Sequence, residues 1–499
     1  MGPTGPGEPD HRPRPDGPVA GPMELLTMQQ NRPFPPGAAV PGTPLRNPAI
    51  PNTPLPGRAL PSAALPSAAL RAALAAGTDD RIIYDLDGIA GQYAALLREL
   101  PGITVRFAMK ACPVDEVLAT LAQLGAGCDA ASPHEIGQAL RAGVPVGRIH
   151  YGNTVKSDRN IAEAYRLGVR DFATDSLADV AALAVHAPGA RVFCRLATTG
   201  EGALWGLSRK FGCSPEDAVL VLEAARAAGL TPSGLSVHVG SQQMTSGAWQ
   251  SALDELAALV ETLTSRGIRL DHINLGGGLP ALGVLDKRGR PLDPPVDKMF
   301  AVIREGMQRL REVAASPLEF LLEPGRHLVA DHGAIRAHVA RLSARQQLSG
   351  EQQHWLYLSC GKFNGLYEMD ELQYRLEFPT HASGANGGDG GDGGDGGDGG
   401  DGANRGNGGN RGAGQDGRDG EPVQVVPAVV AGPTCDSDDA YAHEDGLVRV
   451  PLAAASGDPV WIFSCGAYAT AYMTQGFNGF QPLPYTCIGR GDVSMGGSE

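Results

Sequence analysis

The sequence predicts an α/β protein: a (β/α)8 barrel followed by a mostly antiparallel C-terminal β domain. Three observations carry this. From Arg81 onward, eight apolar strand-like runs alternate with amphipathic helical stretches. Polar residues fall immediately after those runs. Beyond Glu323 the alternation stops, and short β-rich segments punctuated by Gly and Pro take over.

The strand candidates are 105–109, 127–131, 148–152, 171–174, 191–197, 234–239, 272–275 and 319–322. Each is a short, largely apolar run, as strands covered on both faces are. Between them, 114–124, 133–142, 158–167, 214–228 and 249–266 repeat apolar residues at helical spacing. Segments 333–342, 354–358, 423–430, 446–450, 459–464 and 477–488 supply the β domain. The barrel is expected over 79–335 and the β domain over 336–382 and 421–492.

Two stretches stand apart. Residues 1–78 are rich in Pro and Ala, and 383–420 are almost wholly Gly, Asp, Asn and Arg. Neither can bury enough apolar surface to offset its ordering entropy, so both are expected to be disordered. The Gly-Gly-Asp period of three lacks the apolar position that lets calcium-binding repeats stack, which favours a solvated linker. It separates Leu376 from Val425, both in strand-like surroundings, and reads as a lengthened surface loop within one domain.

Composition narrows the function. Net charge is −14 and no Lys/Arg run marks a nucleic-acid footprint. No stretch reaches the ~20 apolar residues that span a bilayer. No basic-then-apolar leader opens the chain, and the eight cysteines are scattered without a CxxC pair. A cytoplasmic protein is expected, with no metal, nucleic-acid or membrane partner.

Lys110, Asp129, Asn153, Asp175, Arg195, His238, Gly276–Gly278 and Glu323 lie at the ends of the eight runs. A parallel barrel gathers those ends at one mouth, where enzymes of this fold carry their chemistry. Singly, each is an ordinary polar loop residue. Jointly they outline a site.

Seven ordered motifs now matter: Phe-Ala-Met-Lys (107–110), Cys-Asp-Ala-Ala-Ser-Pro-His-Glu (128–135), His-Val-Gly-Ser (238–241), Gly-Gly-Gly (276–278), Glu-Pro-Gly-Arg (323–326), Gly-Pro-Thr-Cys-Asp (432–436) and Gly-Ala-Tyr (466–468). With them the chain, from about Ile82 to Ile488, resembles the pyridoxal-phosphate (PLP) decarboxylases of the alanine-racemase-like fold (fold type III). That family acts on ornithine, lysine and diaminopimelate, and its ornithine and lysine members serve polyamine biosynthesis.

The resemblance implies that Lys110 forms the Schiff base with PLP, an amine activated by desolvation that lowers its pKa. It gives Glu323 to the pyridine nitrogen, where a carboxylate keeps the ring an electron sink. Arg326, Ser241, Gly276, Gly277, Gly278 and Tyr468 go to the phosphate, Gly325 and Arg195 to the cofactor, and His238 to the face of its ring. Successive glycines let backbone N–H groups approach a phosphate without interference from Cβ. Outside these motifs, Lys110 would be an exposed strand-end lysine, His238 a core histidine and Glu323 a salt-bridge partner of Arg326. Asp129 is expected in the site. Glu135 fits better as the reciprocal half of a capping box with Ser132.

Cys435 is implied as the proton donor to Cα; a buried structural cysteine is the ordinary alternative. Asp436 would bind the substrate's distal ammonium, with Asp439 and Phe477 beside it. Asp at 436, where diaminopimelate enzymes usually carry Glu, favours a substrate with a bare terminal amine, ornithine or lysine. Glu368, Asp370 and Glu371 are open candidates for a second carboxylate. Position 327 is His, where eukaryotic ornithine decarboxylases carry Tyr. In the family the Cys-Asp loop comes from the partner subunit, which implies a homodimer with shared sites. A diaminopimelate decarboxylase, a racemase on the same barrel and a regulatory homologue without activity remain alternatives.

Overall fold

The computed structural model describes residues 65–206, 210–347, 350–381, 423–441 and 446–491. Eight strands close a barrel: Ile103–Ala108, Gly127–Ala130, Ile149–Tyr151, Asp171–Thr174, Arg191–Arg195, Thr231–Ser236, His272–Asn274 and Glu319–Leu322. They pair in chain order, all parallel, and the last returns to the first through Phe320–Ile103 and Leu322–Val105.

Helices cover the outside of the barrel, and their starts are written in the sequence. Ser132, Ser157, Ser176 and Ser214 each accept a backbone N–H from the third residue on. At Pro133–Arg141 the cap is reciprocal, although Glu135 returns to the N–H of Ala131, one residue ahead of the capping serine. The longest helices, Gly247–Ser265 and Val296–Val313, pack together through Leu253 and Gly306, where an added Cβ would lie 2.4 Å from the Leu253 side chain.

The second body is an eight-stranded sheet built mainly of antiparallel pairs around the long strand Gly333–Gln346. One of its strands was assigned differently by the sequence. Arg81–Asp85 falls inside the range expected for the barrel, yet it pairs antiparallel with Gly333–Arg336 and parallel with Tyr485–Ile488. An apolar five-residue run carries no mark of which sheet it will join, because its partners are distant in the chain.

The expectation of disorder over 1–78 also fails at its C-terminal end. Ala68–Ala76 is a helix capped by Ser67, and it buries Leu70 and Leu74 against Ile83, Ala334 and Phe463. Averaged Pro/Ala composition hid an i, i+4 leucine pair. Residues 1–64 and the insertion at 383–420 lie outside the described residues.

A two-stranded ribbon, Ala203–Trp205 with Ser241–Gln243, folds over the barrel mouth and sets Trp205 beside Ser241. From the β domain, Tyr468 donates its backbone N–H to the carbonyl of Ala111, 2.7 Å away, next to Lys110. The two bodies therefore meet at the strand ends where the site residues lie.

Candidate active site

Lys110 follows the first barrel strand in a single turn, Met109–Ala111. Its side chain is reachable by solvent but ringed by protein, as at the floor of a cleft. Burial depresses its basicity, yet the charges of Asp129, Tyr468 and Glu323 outweigh burial, and the net shift is upward. The expected depression is thus reversed in the cofactor-free protein, because two carboxylates face the amine.

Those carboxylates form the centre of the site. Glu323 Oε1 accepts from Asn274 Nδ2 at 2.5 Å and lies 2.9 Å from His150 Nε2. The same Nε2 is 3.1 Å from Asp129 Oδ1. Burial works against ionisation of Asp129, but His150, Lys110 and Arg195 prevail and hold it below the ordinary carboxylate range. Arg195 lies over the ring of Phe211, its charge opposed by burial and supported by Glu323 and Asp129.

The glycine turn is rigid. Gly276 has φ of +65°, and a Cβ there would meet the Val237 carbonyl at 2.0 Å. Its N–H donates to Asn274 Oδ1 and its carbonyl accepts from the N–H of Glu323. Gly277 faces His238 Nε2, and Gly278 is packed against Val239 and Gly240. His238 accepts the Gly240 N–H on Nδ1, and burial pushes the ring down to about 3, so it is neutral at ordinary pH. Gly325 sits tight against Ala111 and Ala108.

Arg326 is buried beneath this turn, 3.3 Å from Ser241 Oγ and with its guanidinium 4.7 Å from the ring centre of Trp205 and 4.9 Å from that of Tyr468. Glu368 grips it with two oxygens, at 2.5 and 2.6 Å. Of the three acidic candidates, only Glu368 is buried here. Asp370 pairs with Lys362 and Glu371 with Lys287, both half exposed.

Glycines without room for a Cβ, Ser241, Arg326 and Tyr468 at one mouth make a cradle suited to a phosphate, and Lys110 and Glu323 suit an aldehyde and a ring nitrogen. The residues present fit pyridoxal phosphate. Asn153 and Asp175 are strand-end residues with local work only: Asn153 accepts from Val155 N–H and Asp175 from Gly212 N–H.

The Cys435 loop is separate. Cys435 is exposed, with its N–H and thiol both on Asn478 Oδ1 at 2.9 and 3.2 Å. Phe477, partly exposed, packs on Phe363 with ring centres 4.8 Å apart. Asp436 accepts the N–H of Asp438. Among the described residues no hydrogen bond, ion pair or ring contact joins Cys435, Asp436 or Phe477 to the Lys110–Glu323 group. Asp439 is buried and uses both oxygens within its own domain, one on Lys362 N–H and the other on Thr434 N–H and Oγ1. A Cβ at Gly361 or Gly432 would collide with it, and through these bonds it braces the Cys435 loop.

Sequence reading missed His150 and Asn274. Asn274 lies two residues before the glycine turn, a position from which it could have been suspected. His150 lies inside a three-residue strand and carried no signal.

With the geometry in place, the comparisons are decisive. Residues 86–330 match the pyridoxal-binding domain of the pyridoxal-dependent decarboxylases. The chain belongs to that family. A lysine/ornithine decarboxylase of Selenomonas ruminantium is 29% identical over 406 residues, 81% of this chain and 88% of that protein. An ornithine decarboxylase of Caenorhabditis elegans is 32% identical over 260 residues, 52% of this chain and 59% of that protein. The crystal structure of a Vibrio vulnificus lysine/ornithine decarboxylase with cadaverine is similar at a TM-score of 0.67 and 26% identity, covering 85% of this chain and all of that one. This decarboxylase is accordingly a PLP enzyme, and no described helix is long and apolar enough to cross a membrane.

Proposed function

We propose that the protein decarboxylates a basic L-amino acid, ornithine or lysine, to its diamine. The observation that carries this is the meeting, at one barrel mouth, of the Lys110 amine, the Glu323 carboxylate and the Gly276–Gly278, Ser241 and Arg326 cradle. The Vibrio relative solved with cadaverine adds a diamine to the chemistry of a similar fold.

Bound PLP supplies an electron sink for the pair released when CO2 leaves. Lys110 would hold the cofactor covalently, Glu323 would accept from its ring nitrogen, and neutral His238 would lie against its face. Cys435 delivers the proton to Cα, and Asp436 takes the distal ammonium. Because Cys435 and Phe477 sit together on an exposed surface, the reading has them act in the site of a second copy, in a homodimer working in the cytoplasm.

The test is a panel of ornithine, lysine, arginine and diaminopimelate on PLP-loaded protein, assayed for CO2 and diamine, with hydride trapping and peptide mapping of Lys110. Diamine from ornithine or lysine and label on Lys110 are expected. Label elsewhere, or no product from any basic amino acid, would refute the proposal.

A further inference from the structure

We propose that His150 is a positioning residue that clamps Asp129 and Glu323 together, so that the Glu323 carboxylate is held in place to accept from the cofactor's ring nitrogen. This rests on the PLP reading above and adds to it a residue that the seven motifs do not contain.

His150 is the middle residue of the strand Ile149–Tyr151 and is wholly buried. It is the direct register partner of Asp129 on the neighbouring parallel strand. Phe193, ring centre 5.2 Å away, supports its ring from the next strand but one, and Phe193 in turn packs on His272. The ring therefore cannot turn away. Nε2 lies 2.9 Å from Glu323 Oε1 and 3.1 Å from Asp129 Oδ1. Both neighbours are acceptors, so Nε2 must carry the proton and donate to both. Among the described residues Nδ1 has no hydrogen-bond partner, which leaves Nε2 as the atom through which the imidazole acts.

The clamp has an electrostatic consequence. A carboxylate oxygen of Asp129, one of Glu323 and a ring nitrogen of His150 all lie within 4.8 Å of one another. Two carboxylates that close disfavour double ionisation and tend to share a proton. A shared proton would occupy the acceptor that the ring nitrogen needs. An N–H placed between them removes that option, and the positive charges of Arg106, Lys110 and Arg195 around the group reinforce it. Asn274 also donates to Glu323, but its Oδ1 is held by the Gly276 N–H in the glycine turn, and its amide meets one carboxylate where His150 meets two. His150 meets the site through the two carboxylates, Glu323 and Asp129, and Asp129 in turn faces the Lys110 amine.

The experiment uses cofactor-free full-length protein and two ligands, PLP and its analogue with carbon in place of the ring nitrogen, with affinity read by fluorescence titration. The variants are His150→Leu, His150→Gln and His150→Asn. Gln can place an amide N–H near the Nε2 position, and Asn falls short of it. Loss of a hydrogen bond to a charged group weakens binding by about ten- to a hundredfold. His150→Leu and His150→Asn should lose that much for PLP, change little for the carbon analogue, and His150→Gln should recover most of it. Should the leucine variant fail to fold, the Gln–Asn pair carries the comparison. Equal losses for both ligands, or equal behaviour of Gln and Asn, would overturn the proposal. Wild-type protein that binds neither ligand would instead overturn the cofactor reading on which it rests.

Discussion

Arg326 and Glu368, 42 residues apart, form a buried bidentate ion pair at the barrel mouth, 3.3 Å from the Ser241 hydroxyl. Burial alone would weaken the guanidinium's hold on its proton, but Glu368 raises its pKa above the ordinary value. The pair gives Arg326 an anion before any phosphate arrives. Breaking one partner of a buried pair costs about 3–5 kcal/mol. Glu368→Ala should cost that much in urea unfolding of cofactor-free protein, and the loss should shrink with PLP, whose phosphate gives Arg326 a replacement anion. A loss of the same size with and without PLP would remove Arg326 from the phosphate site.

Cys435 is exposed and Lys110 lies in the cleft, which makes the shared-site reading measurable. Lys110→Ala and Cys435→Ala should each be nearly inactive alone. Mixed and allowed to exchange subunits, they should regain about a quarter of wild-type activity, the statistical share of intact sites in a two-fold dimer. No recovery despite demonstrated exchange would place the whole site in one chain.

Buried histidines set the acid side of the stability curve. Burial pushes both His238 and His272 down to about 3. In the unfolded chain they protonate near 6.5, so the folded state binds fewer protons between those values. Their contribution is present above about pH 6.5 and is lost as pH falls towards about 3. His150 is raised instead, because Asp129 and Glu323 outweigh its burial, and its contribution is present below about 6.5 and fades at higher pH. The urea midpoint should therefore fall between pH 7 and pH 4. His272→Met should flatten that fall, and an unchanged slope would assign the acid lability to other groups.

The helix Ala68–Ala76 is held by apolar contact more than by charge. Leu74 is 1% exposed, and burying a leucine that is then cut to alanine costs about 2–5 kcal/mol. Arg71 and Glu377 pair at 2.7 Å but are both about two-fifths exposed, and such pairs contribute roughly 0–1 kcal/mol. Leu74→Ala should lower stability by several times the effect of Arg71→Ala. A chain starting at residue 65 should melt like the full chain, whereas one starting at residue 79 should melt lower.

Much of the site was legible because its chemistry is local in the chain. Lys110, the glycine turn and Arg326 each sit in a short motif at the end of a strand, and a parallel barrel can only bring such ends to one mouth. Asp439 shows what a motif leaves open. Its place in the motif is right, but whether a carboxylate faces substrate or braces its own loop depends on Lys362 and Thr434 across the fold.

Apolar period and the rank of polar residues behind each run determined the barrel, serine caps mark its helix starts, and seven short motifs carried the resemblance to PLP decarboxylases, since each depends on neighbours within a few residues. Tertiary structure alone decided which sheet Arg81–Asp85 joins, that Glu368 rather than Asp370 or Glu371 reaches Arg326, and that His150 lies between two carboxylates. Those outcomes depend on contacts between residues tens or hundreds of positions apart, and burial and charge act there through distances that a linear pattern does not encode.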